Sequence, residues 1–133
     1  MRMYFGLFFL LLALVSCDKT SELEQASIYG GWYLSTQDLI RIQDGNRTVT
    51  TDTVNDKTIF YDFKENGKFD FQGGTGEYYL SNDSLYCKYA ATSSSRFYGF
   101  KISVSRDELI MRVTDTYPNI NTTTEQVNKF RRL

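Results

Sequence analysis

Asp62 and Asp70 are the first residues in this chain whose types and spacing suggest a reaction. They flank the turn Glu65-Asn66-Gly67, and a hairpin through that turn sets them opposite each other on neighbouring strands. Two carboxyl groups about 5 Å apart is the separation used by a retaining glycosidase, one as nucleophile and the other as acid and base. The same pairing puts both on the face away from Tyr61, Phe63, Phe69 and Phe71, with Lys64 and Lys68 diagonally near. That arrangement reads as a solvated charged face. Cys87 is a thiol without an activating base, because the chain contains no histidine. The same absence removes the Ser-His-Asp triad and every His-ligated metal site. Gly73-Gly74-Thr75-Gly76 lacks the lysine and following helix of a phosphate loop and reads as a turn joining two strands. No catalytic residue, metal or cofactor is expected. A formal net charge of −1 argues against a nucleic-acid partner, which would call for a basic patch or stripe.

Covalent chemistry is better supported at Cys17. Met1-Arg2 supplies a positive start, and Tyr4 to Val15 is apolar except for Gly6. The run is shorter than the about 20 residues of a membrane span and fits the core of a signal peptide. Leu14-Val15-Ser16-Cys17 resembles the lipobox of bacterial lipoproteins. The resemblance implies cleavage before Cys17, diacylation of its sulfur and acylation of the new amino end. Several chains are needed because each buried CH₂ contributes only about 0.8 kcal/mol and one chain anchors marginally. Residues 1–16 are then the signal peptide. Residues 17–27, with Glu22, Glu24 and Gln25, are the lipidated cysteine and a polar tether, and residues 28–133 form one domain. With Cys17 acylated, Cys87 has no disulfide partner in the chain.

The elements that would carry these residues are strands. The chain is 16% aromatic, with 10 Phe, 10 Tyr and 1 Trp, and has one proline. Ile59, Tyr61 and Phe63 alternate with Phe60 and Asp62, and Phe69 and Phe71 with Lys68 and Asp70, the period of half-buried strands. A three-residue loop with Gly67 in the left-handed position pairs Phe63 with Phe69 and Tyr61 with Phe71, keeping all four on one face. A four-residue loop at Ser81–Ser84 pairs Leu80 with Leu85, Tyr79 with Tyr86 and Tyr78 with Cys87. One at Ser105–Glu108 pairs Val104 with Leu109, Ile102 with Met111 and Lys101 with Arg112. A Ser-rich loop covers Ala90 to Arg96, and Asp115 to Thr124 leads to a last strand near Gln126 to Arg132. With a first strand around Trp32 the total is about eight, enough to close an antiparallel barrel. Leu39 to Val54 either adds a hairpin at Asp44-Gly45 or forms a long loop. Outward Asp62, Lys68, Asp70, Lys88, Lys101 and Arg112 are incompatible with a lipid-facing pore.

Several stretches resemble lipocalins, and in particular the lipocalin-like lipoproteins of Bacteroidota. They are Gly30-Gly31-Trp32-Tyr33-Leu34, Tyr61-Asp62-Phe63 with Asn66-Gly67-Lys68-Phe69, Gly76-Glu77-Tyr78, Leu109-Ile110-Met111-Arg112 and Lys129-Phe130-Arg131-Arg132. The resemblance spans residues 28–133 and implies an all-β, up-and-down barrel of about eight strands. It also implies a terminal arginine stacked on Trp32 at a closed base that includes Gly30. Alternation from Phe130 favours Arg132 for that role, with Arg131 the alternative. Tyr61, Phe63, Phe69, Phe71, Tyr78, Tyr89, Tyr98 and Phe100 are the candidate lumen residues. They either line a cup for a small apolar ligand, with phenol hydroxyls as polar anchors, or fill the barrel. Tyr79, Tyr86 and Phe97 point outward as an aromatic patch. The expected protein is a non-enzymatic, lipid-anchored component of the bacterial cell envelope, at the outer membrane or surface. It binds a small apolar ligand or serves as a structural module. Alternatively, it contacts an envelope protein through loops on a filled barrel, as a hydrolase inhibitor or assembly subunit.

Overall fold

A computed structural model describes residues 27–90 and 96–133. The expected signal peptide, Cys17 and the expected tether through residue 26 lie outside the described residues, as does most of the Ser-rich loop. Eight strands follow in chain order: β1 (Gly30–Gln43), β2 (Asn46–Phe63), β3 (Lys68–Phe71), β4 (Gly74–Ser81), β5 (Ser84–Tyr89), β6 (Tyr98–Val104), β7 (Glu108–Tyr117) and β8 (Thr122–Arg132). A single 3₁₀ turn, Pro118–Ile120, connects the last two. Each strand pairs antiparallel with the next, and β8 returns to pair with β1, closing the barrel.

The registers follow from the alternation. Phe63 pairs with Phe69, Asp62 with Asp70 and Tyr61 with Phe71. Tyr78 faces Cys87 and Leu80 faces Leu85, and Ile102 faces Met111 and Val104 faces Leu109. Gly67 takes φ +77 in the three-residue loop, which the Lys64 amide closes by donating to the Lys68 carbonyl at 2.8 Å. Shifting any of these strands by one residue would carry its apolar set to the opposite face.

Three expectations are corrected. Gly74, Thr75 and Gly76 belong to β4, so the β3–β4 connection is a tight turn at Gln72-Gly73 instead of a four-residue loop. Ser81 pairs with Ser84, which narrows the β4–β5 turn to Asn82-Asp83. The last strand starts at Thr122, because Thr122–Thr124 continue the ladder with Tyr117–Asp115. The open alternative at Leu39–Val54 resolves as a hairpin at Asp44-Gly45 that lengthens β1 and β2 and adds no strands. Both turn residues have positive φ, 51 and 80, as a two-residue hairpin turn requires.

The result is a barrel with one tall wall. β1, β2, β7 and β8 run past the short strands β3 to β6, and the two hairpin tips meet where the Asn121 side-chain amide donates to Asp44 at 3.0 Å. A bulge at Leu34–Thr36, opposite Asn55 at φ 45, marks where the barrel proper gives way to the wall. Gly76 is required by packing. A Cβ there would sit 2.3 Å from Phe69 Cζ and 2.6 Å from the Lys88 carbonyl oxygen, so only glycine lets the Phe69 ring lie over β4.

Candidate functional site

At the base, Trp32 is fully buried, and its indole Nε1 donates to the Ile28 carbonyl at 2.7 Å. The Arg132 guanidinium carbon stands 3.8 Å from the centre of the Trp32 ring. The same guanidinium donates to the carbonyls of Ser27 at 2.7 Å, Arg106 at 3.2 Å and Tyr29. One cation therefore ties the entry of β1, the β6–β7 turn and the end of the chain to the ring. Gly30, at φ +100, leaves room for it, since a Cβ would fall 3.1 Å from Nη1. Arg131 does not belong to this base. Phe130 is buried, so its neighbour points to the opposite face, where Arg131 is exposed and pairs with Tyr33 and Glu108.

Above the base the candidate lumen residues pack against one another. Tyr61 is the hub, its ring 5.5 Å from Phe63, 5.7 Å from Phe69, 6.4 Å from Phe71 and 5.6 Å from Phe130. Tyr78 meets Phe63 edge-on at 5.0 Å, and Tyr89 meets Phe69 and Phe71 edge-on at 5.4 and 5.1 Å. Tyr61 stacks on Phe63 and Phe71 while the other pairs are tilted or edge-to-face, all at separations that aromatic pairs prefer. The hydroxyls are satisfied from within: Tyr61 and Tyr89 share a hydrogen bond of 2.8 Å, and Tyr78 donates to the Lys64 carbonyl at 2.6 Å. Burial holds all three phenols in their neutral form, pushing Tyr78 up to about 12 and raising Tyr61 and Tyr89. Phe100 packs on the edge of this cluster. Tyr98 departs from it: 42% exposed, it stands at the far rim, 6.1 Å from Tyr89, with the Arg96 guanidinium over its ring.

Cys87 is fully buried and free, and burial raises its thiol to about 12. It is a packing residue. Asp62 and Asp70 do face each other, but on the outside, where Asp70 is engaged by Lys64 at 2.5 Å. That ion pair borders a cleft of about 430 Å³ on the outer surface, lined also by Lys68, Glu77 and Lys88. Among the described residues no group of His, Cys, Asp or Glu converges as a metal-binding set.

Two surfaces stand out. Outside β4 and β5, Tyr79 stacks on Tyr86 at 4.8 Å, Phe97 meets Tyr79 at 5.1 Å, and Lys88 lies 5.2 Å over Phe97 while pairing with Glu77 at 2.7 Å. Gly99 lets the Tyr86 ring spread across β6, since a Cβ there would lie 3.0 Å from it. The second surface is the tall wall, which the sequence pattern does not mark. Its lumen-side face carries an amide ladder in which Gln37 and Gln126 both donate to Asn128, at 2.8 and 3.2 Å. The only cue to it was Asp44-Gly45, because residues 46–54 have no apolar periodicity.

Searches against protein-family models, curated proteins and solved structures find no match to this chain.

Proposed function

We propose that this chain is a lipid-anchored, lipocalin-like protein of the bacterial cell envelope that acts without catalysis, as a protein-interaction module. The observation that carries the reading is the self-satisfied lumen. The hydroxyls of Tyr61, Tyr78 and Tyr89 are bonded to one another or to backbone, and the rings between them pack against each other. Recognition then falls to the exterior. The Tyr79–Tyr86–Phe97 patch has the composition of a binding hot spot, aromatic rings at the centre with a charged rim in Lys88 and Glu77. A second reading, a small apolar ligand held at the rim, is favoured by the exposed ring of Tyr98.

Cross-linking in whole cells followed by fractionation tests the first reading. The wild-type chain is expected in the envelope, joined to a second protein of different mass. Tyr79→Ala with Tyr86→Ala is expected to stay in the envelope without that second protein. Cys17→Ala is expected in the soluble fraction or as an uncleaved precursor. Membrane association unchanged by Cys17→Ala would overturn the anchor, and a link to the second protein unchanged by the tyrosine substitutions would overturn the surface.

A further inference from the structure

β2 is 18 residues long, yet β3 pairs only with Tyr61, Asp62 and Phe63. Among the described residues, Asn46–Thr53, Asp56 and Phe60 pair on one side only, with β1. The regular part of this edge, Asn46–Thr53, is exposed throughout and reads Asn-Arg-Thr-Val-Thr-Thr-Asp-Thr. Proteins usually blunt such an edge with charged side chains, proline or a bulge; this run has no proline and no bulge, and its charges are one of each sign, Arg47 and Asp52. Thr and Val are strand formers, so the segment is held ready for pairing.

The two-residue turn at Asp44-Gly45 sets which groups are free. The flanking pair Gln43–Asn46 exchanges both backbone hydrogen bonds, and the exchange recurs every second residue, at Arg41–Thr48, Leu39–Thr50 and Gln37–Asp52. The backbone groups of Arg47, Val49, Thr51 and Thr53 therefore face away from β1. We infer that this edge binds the same edge of a second copy, antiparallel, about a two-fold axis at Val49.

That register is self-complementary. Val49 meets Val49 of the second copy, extending the Ile40–Val49 pair into a continuous row of four β-branched side chains that covers an exposed valine. Arg47 lies beside Thr51 of the second copy, whose hydroxyl donates to Asp38 at 2.7 Å, so the guanidinium comes next to a carboxylate that Lys129 pairs with at 3.0 Å. On the other face Thr48 meets Thr50, and the Asn46 amide meets the Asp52 carboxylate. No like charges oppose each other, and the two-fold repeats every contact. The pairing joins two four-stranded walls into one continuous sheet. It needs neither the lipid anchor nor the outer aromatic patch.

Single-cysteine cross-linking of the full-length chain in isolated envelopes, driven by a copper–phenanthroline oxidant, tests this. Cα atoms across a hydrogen-bonded antiparallel pair lie about 5.5 Å apart, within disulfide range. Val49→Cys is therefore expected to give a reducible homodimer on a denaturing gel. Thr50→Cys, at its likewise exposed neighbour, would face its own copy only diagonally, beyond about 7 Å, and is expected to stay monomeric. Cys87 is buried and does not compete. A monomeric Val49→Cys chain, equal dimer from Thr50→Cys, or a link to a protein of another mass would each overturn the inference.

Discussion

Replacing Trp32 with alanine is expected to lower the unfolding free energy by about 3–5 kcal/mol, read as a fall in the urea midpoint at unchanged slope. The indole is fully buried at the base and bonded to the Ile28 carbonyl. Its loss leaves a cavity where the chain's two described ends meet. It also removes the ring beneath Arg132, whose guanidinium holds Ser27, Tyr29 and Arg106 through their carbonyls. Domains of this size are stable by roughly 5–15 kcal/mol, so the change consumes a large share of the margin. A loss below about 1 kcal/mol would show that Trp32 does not close the base.

Phe69→Ala is expected to cost a similar about 3–5 kcal/mol, for a different reason. Phe69 is fully buried at the middle of the lumen and touches Tyr61, Phe63, Phe71, Tyr78 and Tyr89. Gly76 opposite it supplies no side chain that could move into the gap. The same loss should accompany Trp32→Ala additively only if base and lumen are independent; the stack of Phe63 and Tyr61 between them argues for coupling. Guanidinium or urea titration of the variant is the check. A change under about 1 kcal/mol would mean that the ring borders open space.

The parts of the fold readable in advance are those where one face is greasy and the other is not. Tyr61–Phe63 against Phe69–Phe71 and Ile102 against Met111 admit one register each, because a slip exposes the whole set. Phe130 decided between the two terminal arginines by the same alternation. The wall offered no such handle. Thr48, Thr50, Thr51, Thr53, Thr114, Thr116, Thr123 and Thr124 suit either face, so the reach of β1, β2, β7 and β8 was hidden in them. The lumen was half-legible. Alternation identified the inward rings, but whether Tyr61 and Tyr89 turn their hydroxyls toward each other or toward a guest depends on rotamers, which side-chain type does not encode. Tyr98 shows the limit: it lies on the inward face by register with Cys87, yet stands at the rim because β6 starts there.

Native mass spectrometry of the chain purified from its own envelopes addresses the central claim, a lumen closed by its own rings on a protein held by Cys17. The expected spectrum shows the polypeptide from Cys17 onward with its acyl groups and no retained small molecule. A stoichiometric apolar molecule released on activation would contradict it and return the lumen to the role of a binding cup.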